Sequence, residues 1–154
     1  MSAQRIYDLA PLGSLIRYSD GTSRPPERFR KKLVAWENSN NNGRLVRKTA
    51  AHTHGNHTTP ETITLHQGDF GSSGVIVLRI FKTFSVDSTL TFAVVEQPKP
   101  GSVRVLDRQG ELVHLAQDRN AGEAWLASHG YPSATLDEVT ANEPVAVVAE
   151  GRAA

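Results

Sequence analysis

The stretch Val75–Phe84 constrains the fold most. It begins with the apolar run Val75-Ile76-Val77-Leu78 and then alternates, Ile80, Lys82 and Phe84 against Arg79, Phe81 and Thr83. A period of two belongs to an extended strand, whose side chains point by turns to opposite faces. A strand this long needs pairing partners. Leu90, Phe92 and Val94 mark one face of an expected antiparallel partner, joined to it through Asp87-Ser88.

Other segments share the β pattern. Thr62–His66, Val103–Leu106 and Leu112–Leu115 read as strands, and Asp107-Arg108-Gln109-Gly110 reads as the hairpin turn between the last two. Leu12–Tyr18 and Arg44–Thr49 read as earlier strands that pair with each other in a small N-terminal layer. Ala134–Thr140 suits a final strand.

Two segments read as helices. Ser23 offers an N-cap, and Pro25 and Pro26 sit where a helix tolerates missing N–H donors. A helix over Pro25–Glu37 would gather Phe29, Leu33 and Trp36 on one stripe, at the i, i+4, i+7 spacing of a face expected to pack on the sheet. Asn120, with Glu123 three residues later, resembles a capping box for a helix over Ala121–Ser128. Gly130 would end that helix in a left-handed turn, and Trp125 would lie in the core.

The expected fold class is therefore α+β, mainly antiparallel sheet with two short helices packed on it. Its central sheet would comprise 62–66, 75–84, 90–96, 103–106 and 112–115. Residues 1–150 read as a single globular domain with a subdomain seam near 98–101, at Pro98-Lys99-Pro100-Gly101. Val145, Val147 and Val148 are expected to dock, and 151–154 to fray.

The 154-residue chain contains no cysteine, which removes disulfides, thiolate metal sites and cysteine nucleophiles. At that length roughly 68–70% of the unfolded surface can be buried, so folding needs no staple. The apolar run of four is far short of the ~20 residues of a membrane helix. The first residues carry no apolar signal-peptide core. These features lead to the expectation of a soluble cytoplasmic protein that does not engage membranes.

Charge is spread unevenly. The total is 17 Lys+Arg against 16 Asp+Glu, yet residues 1–50 hold 10 basic and 4 acidic side chains, and residues 101–154 hold 4 and 8. A polarised chain can present a cationic face to a polyanion despite near-neutrality overall. Arg24, Arg28, Lys31 and Lys32, followed by Arg44, Arg47 and Lys48, are the candidate nucleic-acid-binding residues, provided the helix packs beside the strand that follows it. Lys and Arg supply the long cationic donors that phosphates need. Solvated charge accounts for the same residues without a ligand.

Two further constellations bear on chemistry. His52, His54 and His57 lie in a polar segment, residues 50–61, that reads as an exposed mobile loop. Imidazoles at this spacing can chelate a metal, with His66, Glu61 or Asp69 completing the sphere. The expected loop supplies no scaffold to hold them, so no metal and no cofactor is assigned. The glycine-rich stretch His66–Gly74 lacks the Gly-Lys-Ser/Thr ending of a P-loop and reads as a connection between strands.

No partnered nucleophile is visible. The leading expectation is a non-enzymatic binding protein whose basic N-terminal third meets nucleic acid or another polyanion. The alternatives are an adaptor or inhibitor with an acidic or basic protein partner, and a small metal-dependent enzyme built on the histidine segment. Oligomeric state is left open.

Overall fold

In the computed structural model the described residues are 1–72 and 75–140. The chain there is α+β and dominated by antiparallel sheet, with three helices among the described residues. The docking and fraying expected for 141–154 lie outside them. The elements run α1 (Ala3–Leu9), β1 (Leu15–Ser19), α2 (Arg30–Ser39), β2 (Asn41–Thr49), β3 (His52–His54), β4 (His57–Thr59), β5 (Thr62–Ser72), β6 (Val75–Ser85), β7 (Thr91–Glu96), β8 (Val103–Leu106), β9 (Leu112–Ala116), α3 (Arg119–Ser128) and β10 (Thr135–Glu138).

Five strands form the main sheet in the order β6-β5-β2-β1-β7. The expected pairing of β6 with β7 is corrected. Among the described residues β6 pairs only with β5, while β7 lies at the far edge beside β1. Yet only residues 86–90 join the two edges, and the Ser88 N–H donates to the Ser85 carbonyl at 3.0 Å, so the link is turned and falls well short of its extended length. In a flat sheet the edges would stand about 19 Å apart.

The sheet resolves this by curling until its edges approach. The rings of Phe84 on β6 and Phe92 on β7 meet edge to face at 5.3 Å, and Tyr18 on β1 lies 4.7 Å from Phe84. Bulges in β2, β5, β6 and β7 supply the curvature. Gly43 allows one close approach: a Cβ there would stand 2.8 Å from the Leu65 Cβ.

The concave face encloses the core. Ile16, Tyr18, Leu45, Ile63, Leu65, Phe92 and Val94 are almost wholly buried there. Helix α1 closes the open side with Ala3 and Ile6. Its start is capped by the Ser2 hydroxyl, which accepts from the Arg5 N–H. This helix had no counterpart in the sequence reading.

The hairpin β8–β9 forms as expected, but in a second sheet of order β10-β8-β9 and not in the central one. The chain passes between the sheets through Pro98–Gly101. Helix α3 packs on this sheet at Gly122, where a Cβ would already touch Leu136, Val103 and Ala116 at 3.4–3.6 Å. Its cap is Asp118, not Asn120: the carboxylate accepts from the Ala121 N–H at 2.8 Å. It ends at His129, and Gly130 takes no left-handed turn.

Buried Arg104 ties the two layers together. Its Nε donates to the Leu12 carbonyl at 2.7 Å, and its Nη1 pairs with Asp137 at 2.8 Å. β1 and β2 pair with each other as expected, within the main sheet and not as a separate layer.

The expected packing of Phe29, Leu33 and Trp36 against the sheet is also corrected. Among the described residues of α2 none is buried, and Phe29 is 41% exposed. The Trp36 indole N–H instead donates to the Thr22 carbonyl at 3.0 Å, within the same excursion.

Candidate functional site

Residues 20–40 connect two strands that lie side by side and antiparallel. A tight turn of a few residues would suffice. Long connections without secondary structure of their own are uncommon, and this one carries helix α2 over its second half. It is ordered at its base. The Asp20 carboxylate accepts from the Thr22 N–H and hydroxyl and from the Asn40 amide. Those bonds, led by the Thr22 hydroxyl, hold its carboxyl below the usual range.

Helix α2 starts against ordinary helix chemistry. Its N-cap is Phe29, which offers no side-chain acceptor, and its first turn carries no acid. Arg30, Lys31 and Lys32 occupy that turn instead, with Arg28 just before it, and all four are exposed. Cations belong at the other end of a helix, because the N-terminus is already the positive pole. Arg28 and Lys32 both lie over the Phe29 ring, at 4.9 and 5.2 Å. Arg24 stands 3.6 Å from Glu27 in an exposed ion pair.

The three candidate cations on β2 do not share one face of that strand. The register pairs Arg44 with His66 and, after a bulge at Val46, Lys48 with Ile63. The bulge shifts the alternation by one residue. Arg44 and Arg47 therefore face away from the concave core, and Lys48 faces toward it. Arg47 is exposed. Lys48 is half-buried near the Tyr7 ring, at 6.0 Å, and its pKa is lowered by burial, an effect opposed by Asp8 and reinforced by Arg104. The Arg44 Nη1 donates to the Gly13 carbonyl at 2.6 Å.

Arg44 opens into a cleft of about 390 Å³ between the convex face of the main sheet and the second layer. His66 and Phe81 continue the row from Arg44 across β5 and β6. Opposite them stands a stack of rings. His114 lies 4.7 Å from Trp125 at an interplanar angle of 4°, and His129 lies 4.0 Å from Trp125 at 10°. Trp125 is thus half-buried in a cleft wall, not sealed in the core. The pKa of His114 is lowered, first by burial and then by the neighbouring charges of His129 and Arg79. Sequence reading missed this group because its members come from residues 44, 66, 79, 81, 114, 125 and 129, which no local spacing links.

The histidine segment is an ordered hairpin, β3–β4, and not a structureless loop. His54 pairs with His57 across a turn in which Gly55 takes a φ of +62°. All three histidines there are exposed. Among the described residues no three His, Asp or Glu side chains lie close enough together to hold a metal. The glycine-rich stretch continues β5 as far as Ser72. Among the described residues no helix is long and apolar enough to cross a membrane.

Residues 1–143 match the family described as "Uncharacterised conserved protein UCP036055", and the chain belongs to that family. No curated protein and no solved structure matches the chain.

Proposed function

We propose that this protein is a non-enzymatic binding protein for a polyanion, with nucleic acid the favoured partner, and that the 20–40 excursion is its contact surface. The observation that carries this reading is the start of α2, uncapped and crowded by Arg28, Arg30, Lys31 and Lys32. Such an arrangement repels itself in the free protein. A phosphate placed there would meet the free helix N–H groups and the four cations together. The contact surface is thereby narrowed from the seven-residue set to Arg24, Arg28, Lys31 and Lys32, with Arg30 added and Arg44, Arg47 and Lys48 set aside.

Binding of this kind is electrostatic and weakly sequence-specific. Four phosphate contacts predict that affinity for duplex DNA falls about a hundredfold between 50 and 200 mM salt. Fluorescence anisotropy with labelled single-stranded and duplex oligonucleotides measures this. Lys31→Glu combined with Lys32→Glu should remove binding while leaving the melting transition in place. Absence of binding at low salt, or binding that survives the double charge reversal, would overturn the reading.

An acidic protein partner is the second reading, favoured by the exposed Phe29 and Val34 on the same excursion. A pull-down partner that persists after nuclease treatment, and is lost with Phe29→Ala, would select it.

A further inference from the structure

We propose that the cleft between the curled sheet and the second layer binds a small organic anion, an acidic head group carried on an apolar or aromatic body. The site is separate from the 20–40 excursion and does not depend on the reading given for it. Its volume of about 390 Å³ falls within the ~300–1,000 Å³ usual for small-molecule sites.

Electrostatics select the head group. Arg44, His66, Arg79, His114 and His129 line the cleft, and no Asp or Glu does so among the described side chains. Arg44 is the anchor. A guanidinium has five N–H donors, and one of them is given to the Gly13 carbonyl. A carbonyl orients the fork without neutralising it, so the charge remains available to a carboxylate or phosphate.

His129 is oriented in a similar way. Its Nδ1 lies 2.8 Å from the Trp125 carbonyl oxygen, which can only accept. The ring proton therefore sits on Nδ1, which leaves Nε2 of the neutral imidazole an acceptor, so Arg44 meets the anion and His129 contributes the face of its ring. Burial, and after it the neighbouring His129 and Arg79, disfavour charge on His114, so the permanent charge offered to an anion is that of the Arg44 guanidinium.

Shape selects the body. The His114–Trp125–His129 stack forms one flat wall. Phe81 faces the cleft from β6 and is 43% exposed. Contact with an apolar or aromatic ring would remove that surface from water.

Trp125 reports on the site directly. With Trp36→Phe as background it is the sole tryptophan of the chain. Titration with phenyl phosphate, and separately with benzoate, should give a saturable change in its emission, and the two arms rank phosphate against carboxylate. Arg44→Gln should weaken binding by about 10- to 100-fold, as expected for loss of a charged hydrogen bond. Phe81→Ala should weaken it by about 10-fold; it removes an exposed ring and so keeps the test valid if Arg44→Gln fails to fold.

Lys31→Glu with Lys32→Glu should leave phenyl phosphate binding unchanged. The proposal is overturned by no saturable response to either acid up to about 10 mM. An equal response to neutral benzyl alcohol also overturns it, as does unchanged binding in Phe81→Ala. Loss of binding in the α2 double variant would mean diffuse charge attraction and would overturn it too.

Discussion

Phe92 and Phe29 belong to the same chemical class and occupy opposite environments. Phe92 is wholly buried inside the curled sheet, edge-on to Phe84. Phe29 stands at the start of α2 with two cations over its ring and 41% of its surface in water. The first region was shaped by burial. Its strands bulge, its edges approach, and α1 closes the opening. The second resists burial, with an uncapped helix start and four cations where a helix prefers acids. Local conflict of this kind is what the contact surface proposed above would explain, since the segment's own stability would be better served by other residues.

The sharpest way to break this comparison is Phe92→Ala. Truncation in a sealed aromatic core should lower the unfolding free energy by about 3–5 kcal/mol, read from chemical denaturation. A loss below about 1 kcal/mol would mean that the edges of the sheet do not depend on each other.

Arg104→Ala should cost about 1–3 kcal/mol, because the Leu12 carbonyl would be left without its donor. The partner Asp137 is half exposed and rehydrates. If Arg104 joins the layers, the variant should also raise amide exchange in β8 and in the loop at Leu12 together.

Substitution at the helix start should act in the other direction. Lys31→Glu places an acid in the first turn and should stabilise α2 by about 0.3–1 kcal/mol, seen as slower amide exchange within the helix. The same change is expected to reduce polyanion binding. Opposite signs for stability and binding would sharpen the contrast between the two regions; a loss of both would erase it.

A fourth prediction concerns acid. The folded pKa of His114 lies below its unfolded value, which is near 6.5. Above that pH the ring is neutral in both states and adds no pH dependence. As pH falls through about 6.5 the unfolded chain takes up the proton first, so stability declines until the folded ring also titrates. His114→Gln should flatten this part of a melting-temperature profile. The smallest effect belongs to Phe29→Ala, within about 0.5 kcal/mol, because that ring supports no core.

Strand positions were legible where alternation was clean. β6, the β8–β9 hairpin and β10 fall close to where period two places them. Partners were not legible. The linker 86–90 looked like a hairpin between β6 and β7, because a short polar link between two apolar runs is what a hairpin requires. Curling lets the same link join two unpaired edges.

The helix over Pro25–Glu37 was found in type and misjudged in role. Phe29, Leu33 and Trp36 have the spacing of a buried face, but spacing shows which side chains would lie together, not whether anything covers them. α1 escaped notice because Ala3, Ile6 and Ala10 are too few to show a period in seven helical residues.

The cationic residues show the same division. Their clustering in the first third of the chain was plain from the sequence. A single bulge at Val46 then placed Arg44 and Lys48 on opposite faces of one strand, a change no composition or charge count carries.

The sequence by itself determined that the chain is sheet-rich, free of thiol chemistry and electrically polarised, since these depend on residue type and on neighbours a few positions apart. Tertiary structure alone decided that the main sheet closes on Phe84 and Phe92, that α2 stays outside the core, and that two arginines, three histidines and a tryptophan line one cleft. Those outcomes rest on contacts between residues far apart in the chain. Such contacts are set by bulges and strand order, which local pattern does not encode.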